Sequence, residues 1–375
     1  MTREGTPAAD EALWKALGAV QDPELRRPIT ELGMVPSATV GSDGTARVAV
    51  LLTIAGCPLR GTIEQDVTAA ASAVPGVSSV EIELGVMTPE QRAELKSSLA
   101  ARTIPFTAPD SLTRIIAVAS GKGGVGKSSV TVNLACALAA DGLRVGVVDA
   151  DVHGFSVPGL MGIDTQPTRV DELILPPVAH AVKVISIGMF VDGNRPVVWR
   201  GPMLHRALEQ FLTDVHFGDL DVLLLDLPPG TGDVAISVSQ LLPGSGIVVV
   251  TTPQSAAAEV AERAGAVAET TGQKVLGVVE NMSWLTLPDG TRMEPFGSGG
   301  GAAVAARLAE RLGTDVGLLG SVPLDPRLRE GGDAGLPVVL GEPESEAAVE
   351  LRRIARSLAR SPRGLAGRPL GVTPR

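Results

Sequence analysis

Aromatic side chains are scarce in this chain. It contains no tyrosine, and aromatic residues make up 2% of its 375 positions. Proteins that bind single-stranded nucleic acid stack bases on aromatic rings, so a base-stacking surface is not expected here. Basic residues are also in the minority, with 32 Lys and Arg against 42 Asp and Glu. Because no basic block stands out, nucleic acid is not predicted as a partner.

Long apolar runs and clustered cysteines are missing too. Hydrophobic residues make up 44% of the chain, but their runs are shorter than the roughly 20 residues that a membrane-spanning helix needs. The first residues, MTREGTPAADE, are polar and acidic, unlike a signal peptide. Two distant cysteines, Cys57 and Cys136, do not suggest a disulfide framework. The composition therefore predicts a cytoplasmic protein without a membrane span.

The chain does contain a glycine-rich octapeptide, GKGGVGKS, at residues 121–128. It fits the phosphate loop G-x-x-x-x-G-K-[ST], in which backbone N–H groups surround a phosphate chain. A strand-like run, 115–120, precedes it and a helical pattern, 127–141, follows, which is the context that this motif requires. Lys127 would contact the β- and γ-phosphates and Ser128 would ligate Mg²⁺. The predicted nucleotide-binding residues of the loop are Gly121, Lys122, Gly123, Gly124, Val125, Gly126, Lys127, Ser128 and Ser129.

Two further strand ends carry carboxylates. Asp226 ends the apolar run 221–226, before PPGTGD, and is predicted to hold Mg²⁺ through water. Asp151 follows the second strand and is predicted to orient the attacking water, with Asp149 assisting at the metal. Gly230 and Gly232 would let the loop approach the γ-phosphate and move when it leaves.

Strand-like runs alternate with helical segments from Ile115 onward. Their near-continuous apolar character predicts an α/β fold with a doubly wound, mostly parallel sheet. Residues 8–86 follow the order α-β-β-α-β, which predicts a small α+β domain before it. Residues 87–112 are predicted as a linker, 113–360 as the P-loop ATPase domain and 361–375 as a disordered tail.

The sequence predicts two further helices from local patterns. Thr88 and Gln91 predict a capping box, with Pro89 at the first helical position. A final helix over about 345–359 has one apolar face, which favours packing on its own domain; membrane association is the alternative.

The loop, the Asp151 region and DLPPGTGD together resemble the deviant Walker A ATPases, the MinD/ParA-like class. Longer phrases are similar to the Mrp/ApbC family of P-loop ATPases, the iron–sulfur cluster carrier proteins. These phrases are RGPMLHRALEQFL, TTPQSAA, VVENMSW, FGSGGG and VPLDPRLREGGDAGLP. The amino-terminal phrases VQDPELRRPITELGMV and LTIAGCPLRGTIEQDV resemble the small PaaD/SufT-like domain that often precedes this ATPase.

The resemblance implies a homodimer that binds ATP and Mg²⁺, hydrolyses ATP slowly and delivers iron–sulfur clusters to apoproteins. Its partners would be apoprotein clients or iron–sulfur assembly proteins. Lys122 would be the signature lysine, which crosses the dimer interface to the partner's nucleotide and acts in catalysis with Lys127 and Asp151. Asp151 and Asp226 would be the switch I and switch II aspartates, and Asn281 would read adenine.

One departure from the family puts the cargo site in question. Family members that carry clusters have Cys-x-x-Cys between the ENMS and FGSGGG phrases, whereas residues 284–295 contain no cysteine. Asp289 and Gly290 instead predict a tight hairpin there. Cys136 reads as a small buried core residue. Cys57, between a strand and a helix, is either a reactive thiol that ligates a cluster or an inert turn residue.

Two functions therefore compete. The first is an ATPase of the iron–sulfur carrier family whose cluster handling has moved to Cys57 or to a partner. The second is a cluster-free, ATP-driven switch of the MinD/ParA kind, in which ATP closes the dimer and changes partner affinity. A redox enzyme like the nitrogenase iron protein is disfavoured because its cluster cysteines are missing.

Overall fold

The computed structural model folds the chain into two compact units. One comprises Met1–Arg102, Thr165–Val178 and Thr213–Gly218, and the other Thr103–Asp164, Ala179–Leu212 and Asp219–Arg375. Within these bounds the structure describes residues 7–23, 27–53, 60–92, 95, 104–108, 110–151, 154–170, 173–190, 201–230, 233–254 and 257–360. The sequence-based boundaries at 86, 112 and 360 stay predictions, and the tail predicted to be disordered lies outside the described residues.

The small unit begins with the predicted order α-β-β-α-β. Its elements are α1 Pro7–Leu17, β1 Ser37–Val40, β2 Thr45–Leu52, α2 Arg60–Ser72 and β3 Ser79–Val86. The central strand β2 pairs antiparallel with β1 and parallel with β3. In β2, Val48, Val50 and Leu52 alternate with less buried residues, so that one face of the sheet joins a core with both helices. This period of two predicts the strand from sequence.

The core of the small unit is completed by residues that lie far along the chain. A hairpin of β6 Thr168–Val170 and β7 Leu173–Leu175 belongs to this unit. Val170, Leu173 and Leu175 are at most 6% exposed and lie in one cluster with residues of both helices and all three strands. Ile174 also forms a parallel bridge with Val215. The small unit therefore depends on residues that the order of motifs does not assign to it.

The large unit contains an eight-stranded sheet in the order β15–β12–β11–β4–β10–β5–β9–β8. Its strands are β4 Arg114–Ser120, β5 Val145–Asp149, β8 Val178–Ala179, β9 Val182–Ser186, β10 Val222–Asp226, β11 Gly246–Thr251, β12 Lys274–Asn281 and β15 Leu318–Val322. The pairings from β15 through β9 are parallel, and β5, β9, β10 and β11 are buried along their whole length. The predicted doubly wound, mostly parallel sheet is confirmed.

From Lys127 onward the chain also forms helices. They are α3 Lys127–Ala140, α4 Val157–Leu160, α5 Gly201–Asp214, α6 Asp233–Leu241, α7 Ala257–Thr271, α8 Gly300–Leu312, α9 Pro326–Asp333, α10 Val338–Gly341 and α11 Glu346–Arg360. In α11 the apolar face is buried in the core of its own unit, with Leu351, Ile354 and Leu358 at most 1% exposed. The packing alternative is thereby confirmed for this helix. Within the described part of the chain, no helix is both long and apolar enough to cross a membrane.

The predicted capping box is present at residues 88–91. The Thr88 N–H donates to Gln91 Oε1 over 2.9 Å, and the Gln91 N–H donates to Thr88 Oγ1 over 3.2 Å. The two side chains thus satisfy two N–H groups that a helix start leaves without partners.

Truncating Leu175 should destabilise the small unit although this residue lies more than 70 positions after Arg102. Leu175→Ala removes a buried side chain, so we expect a loss of about 2–5 kcal/mol in that unit's free energy of unfolding. Hydrogen exchange should accelerate in β1–β3 and stay unchanged in β4 and β10. Val349→Ala, at a side chain that is 53% exposed, is the control and should change neither. Unchanged exchange in β1–β3 for Leu175→Ala would contradict the assignment of the hairpin.

Candidate functional site

The glycine-rich loop connects the carboxyl end of β4 to α3. Gly124 and Gly126 have φ angles of +77° and +78°, a region that residues with a Cβ rarely adopt. Gly126 occupies the N-cap of α3, and among the described residues no side chain caps that end. The first N–H groups of the helix therefore remain available to an anion, as expected for a phosphate loop.

Asn281 supports this loop from the protein interior. Its side chain is 3% exposed, and Nδ2 donates to the carbonyl of Val125 over 2.9 Å. A Cβ on Gly126 would collide with the Asn281 amide, which is a second reason for glycine there. The amide nitrogen is thus bonded to the loop backbone, while the adenine-reading role that the resemblance implies stays a prediction.

Lys127 lies between two carboxylates in the interior. Its Nζ is 2.8 Å from Asp226 Oδ2 and 4.0 Å from Asp151 Oδ2. The lysine is 6% exposed, Asp151 8% and Asp226 0%. A buried charge is expensive unless it is paired, so this cluster requires its three members together. The three predicted residues therefore meet at one point beside the loop.

The Asp226 carboxylate accepts hydrogen bonds from two hydroxyl groups in addition to its ion pair with Lys127. Ser128 Oγ donates to Oδ2, the same oxygen that faces Lys127, and Thr131 Oγ1 donates to Oδ1 over 2.8 Å. Both oxygens of the carboxylate are thus engaged. The sequence interpretation missed Thr131, although its position one helical turn after Lys127 places it on the same face of α3.

Asp149 lies behind the cluster, at the end of β5 and fully buried. Its Oδ2 accepts from Ser186 Oγ over 3.0 Å, and Oδ1 accepts from the Asp151 N–H over 3.2 Å. Burial, and next the negative charge of Asp226, raise the pKa of Asp149 to about 7. The group thus titrates near neutral pH instead of near its ordinary value of 3.8.

Two contacts hold the start of the loop. Lys122 Nζ donates to Gln254 Oε1 over 2.6 Å, and Arg263 Nη1 donates to the carbonyl of Gly121 over 2.8 Å. Gln254 lies in the phrase TTPQSAA after β11. Lys122 therefore contacts a side chain of its own chain in this structure.

A cavity of about 260 Å³ lies over the loop. Its lining residues are Ser120, Lys122, Gly123, Gly124, Val125, Gly126, Lys127, Ser128, Ser129, Asp151, Ser156, Leu160 and Pro229. Eight of the nine predicted loop residues, 122–129, thus border a single space together with Asp151. Ser156 and Leu160 were not predicted. The Gly230 N–H donates to the carbonyl of Ser120 over 2.8 Å, while Gly232 lies outside the described residues.

Residues 284–295, where a hairpin is predicted and a cysteine pair is missing, do contain a hairpin. β13 Leu285–Thr286 pairs antiparallel with β14 Arg292–Met293, and the Thr291 N–H donates to Asp289 Oδ1 over 2.9 Å. Gly290 has φ +83°, as the predicted turn requires.

The hairpin is fastened to the start of α11. Glu346 Oε2 accepts from Trp284 Nε1 and from Thr286 Oγ1, each over 3.0 Å, and lies 3.6 Å from Arg292 Nη2. The Arg292 guanidinium carbon also lies 4.3 Å from the centre of the Trp284 ring. The Trp284 hydrogen bond is the main cause that lowers the pKa of Glu346.

The structure describes one of the two cysteines, Cys136, and not the other, Cys57. Cys136 is fully buried in the core, and burial raises the pKa of its thiol to about 12. The prediction that Cys136 is a small buried core residue is confirmed by this burial. Cys57, the candidate cluster ligand, lies outside the described residues. Among the described residues, no group of three or more His, Cys, Asp or Glu side chains could hold a metal ion.

Two family models match this chain. One, described as "NUBPL iron-transfer P-loop NTPase", matches residues 111–359, and one described as "Iron-sulfur cluster assembly protein" matches residues 10–84. The first match falls on the predicted P-loop ATPase domain and the second on the predicted small α+β domain.

Individual proteins resemble the chain over its full length. It is 61% identical to the "Iron-sulfur cluster carrier protein" of Mycobacterium tuberculosis, covering 100% of this chain and 98% of that protein. The protein of the same name from Mycobacterium leprae is 57% identical, with 100% of this chain and 99% of that protein covered.

A solved structure, a nucleotide-binding protein from Archaeoglobus fulgidus in complex with ADP, is 35% identical with a TM-score of 0.52, covering 69% of this chain and 95% of that chain.

The raised pKa of Asp149 predicts a pH-dependent stability. Because the folded protein holds this proton more tightly than the unfolded chain, its stabilising effect is present at low pH and is lost as pH rises through about 7. Asp149→Asn has no such proton. We therefore expect the melting temperature of the variant, relative to the original protein, to increase by a few degrees between pH 5 and pH 8.

The measurement is a series of thermal melts from pH 5 to pH 8, without nucleotide and with a chelator present. Asp110→Asn, at an exposed aspartate, serves as the control and should show no trend. A difference between Asp149→Asn and the original protein that is constant over this range would contradict the raised pKa.

Proposed function

The chain belongs to the iron–sulfur cluster carrier family of P-loop NTPases, and from this membership we propose that its large unit binds and hydrolyses ATP to drive the transfer of clusters to apoproteins. The observation that carries the proposal is the buried ion pair of Lys127 and Asp226, which Ser128 contacts, beside a glycine loop that borders a cavity. Such a loop and cluster suit a phosphate chain with its metal ion. The cavity and the uncapped start of α3 fit the phosphates, and the oxygen donors fit Mg²⁺.

In the proposed mechanism, the phosphate chain of ATP replaces the internal partners of the loop residues. Lys127 would leave the Asp226 carboxylate to contact the β- and γ-phosphates. Ser128 and Asp226 are the residues that would hold Mg²⁺. Asp151, which borders the cavity 4.0 Å from Lys127, orients the attacking water. The metal ion supplies charge neutralisation to the phosphate oxygens.

A homodimer is the proposed active form. Lys122 has its hydrogen bond to Gln254 on the exposed surface, where exchange for another partner costs little free energy. Its proposed role is to leave Gln254 and reach the nucleotide of a second copy. Hydrolysis is therefore proposed to be slow in the separate chain and to depend on dimerisation.

The cargo, an iron–sulfur cluster, requires thiolates. Residues 284–295 contain none and form the fastened hairpin, and the Cys136 thiol is buried with a pKa of about 12. Cys57 is the remaining cysteine of the chain. We propose that Cys57 from each copy of a dimer binds the cluster, with exogenous thiols or the cysteines of a partner completing the usual four ligands. Apoprotein clients or assembly proteins would be these partners.

A second candidate function applies if the chain binds no cluster at all, neither at the hairpin nor at Cys57. The absence of cysteine from the hairpin favours an ATP-driven switch without a cluster, in which ATP closes the dimer and changes its affinity for a partner. In both functions the nucleotide site is the same.

Substitution of the two loop lysines should separate binding from dimer-dependent turnover. Lys127→Ala should abolish nucleotide binding, measured by titration with a fluorescent ADP, because the buried Asp226 then lacks its counter-ion and the phosphates lack their cation. Lys122→Ala should retain ADP binding but lose ATP-driven dimerisation and hydrolysis, measured by light scattering and phosphate release. Lys274→Ala, at an exposed lysine of β12, is the control. Full hydrolysis by Lys122→Ala would exclude the proposed role of that lysine.

Reconstitution with iron and sulfide distinguishes the two functions. We expect stoichiometric iron and acid-labile sulfide after anaerobic reconstitution of the original protein, and their loss in Cys57→Ser. Cys136→Ala is the matched control and should keep the cluster, because its thiol is buried. If neither the original protein nor Cys57→Ser holds iron while both bind ATP, the cluster-free switch is the function.

A further inference from the structure

We propose that Thr131 is the positioning residue that keeps the Asp226 carboxylate directed at the metal ion once Lys127 and Ser128 have turned to the nucleotide. This inference rests on the proposed ATP·Mg²⁺ site. It concerns a residue outside the G-x-x-x-x-G-K-[ST] motif, four positions after its lysine.

The two oxygens of Asp226 have different partners. Oδ2 faces Lys127 Nζ at 2.8 Å and accepts from Ser128 Oγ. Oδ1 accepts from Thr131 Oγ1 at 2.8 Å. Lys127 and Ser128 both have a proposed task at the nucleotide, whereas Thr131, fully buried, borders the carboxylate and not the cavity. Among the side-chain donors described at Asp226, Thr131 is thus the one that remains when nucleotide binds.

The hydroxyl of Thr131 has a choice of acceptors, and the charge of Asp226 decides it. Oγ1 lies 3.0 Å from the carbonyl of Lys127, one turn earlier, as well as 2.8 Å from Asp226 Oδ1. It has a single proton to donate, and a bond to an ionised carboxylate is roughly twice as strong as one to a neutral carbonyl. The Asp226 carboxylate is therefore the favoured acceptor of this hydrogen bond.

The backbone keeps this geometry fixed. Asp226 ends β10, which pairs with β4 on one side and with β5 on the other, and the Ala150 N–H donates to the Asp226 carbonyl over 2.9 Å. Thr131 lies in the second turn of α3, and its β-branched side chain has few rotamers in a helix. A carboxylate that is held at Oδ1 presents Oδ2 in a constant direction. Loss of the hydroxyl lets the carboxylate rotate and leaves Oδ1 buried without this donor, which costs free energy.

The test is the dependence of nucleotide affinity on Mg²⁺. Fluorescent ADP is titrated into the full chain over a series of Mg²⁺ concentrations, and the Mg²⁺ midpoint of the affinity change is recorded. We expect Thr131→Val, which keeps the shape and removes the hydroxyl, to raise this midpoint roughly tenfold, the equivalent of one charge-assisted hydrogen bond. Affinity for ADP without Mg²⁺ should stay within about twofold. Thr131→Ser, which keeps the hydroxyl, should restore the original midpoint.

The outcomes separate this inference from the proposed function. If the original protein binds ADP but its affinity does not respond to Mg²⁺, the proposed metal site fails, and the role of Thr131 fails with it. A normal response that Thr131→Val leaves unchanged overturns the inference alone. Equal shifts in Thr131→Val and Thr131→Ser also overturn it, because they indicate a packing role. Thr131→Ala replaces Thr131→Val if the latter does not fold, as judged by circular dichroism, and is held to the same expectation.

Discussion

The ion pair between Lys127 and Asp226 is the interaction on which the nucleotide site depends. Both groups are buried, and removing one partner of a buried ion pair typically costs about 3–5 kcal/mol because the other loses its compensating charge. The strand order makes the pair feasible. Since β10 lies between β4 and β5, the carboxylate that ends β10 lies next to the loop that leaves β4 and to Asp149 and Asp151, at and just after the end of β5. Three segments distant in sequence thereby share one charge cluster.

The hairpin at residues 285–293 bears on what this family member does with its cargo. In place of thiolates, the chain has an indole, a hydroxyl and a guanidinium that meet at one carboxylate, Glu346. Trp284 is three residues after Asn281, which contacts the phosphate loop. Between them, the Ser283 N–H donates to the carbonyl of Val322. Just before Asn281, the Glu280 carboxylate accepts from the Gly301 N–H at the start of α8. The segment in which the resemblance would place the cargo cysteines is therefore linked by hydrogen bonds to α11 and, through Asn281, to the phosphate loop.

Much of the fold and of the loop could be predicted because the signals are local. The continuous apolar strands, the octapeptide at 121–128 and the Asp289-Gly290 turn each specify their structure within a few residues. The contacts of Lys122 with Gln254 and of Asn281 with Val125 join segments more than 130 positions apart, and nothing in their local sequence encodes the pairing. Thr131 could be predicted only in part. Its spacing from Lys127 places both residues on one face of α3, but its hydrogen-bond partner Asp226 belongs to a distant strand, β10.

The hairpin of β6 and β7 in the small unit has a consequence for the order in which the chain is made. Synthesis proceeds from the amino terminus, and domains generally fold as they emerge. Residues 7–92 leave the ribosome well before Val170, Leu173 and Leu175 exist, so the apolar core that these side chains complete stays open during that interval. The bridge between Ile174 and Val215 cannot form until residue 215 has also been translated. The part of the protein that is translated first is thus finished only after β4, the phosphate loop and β5 have been translated.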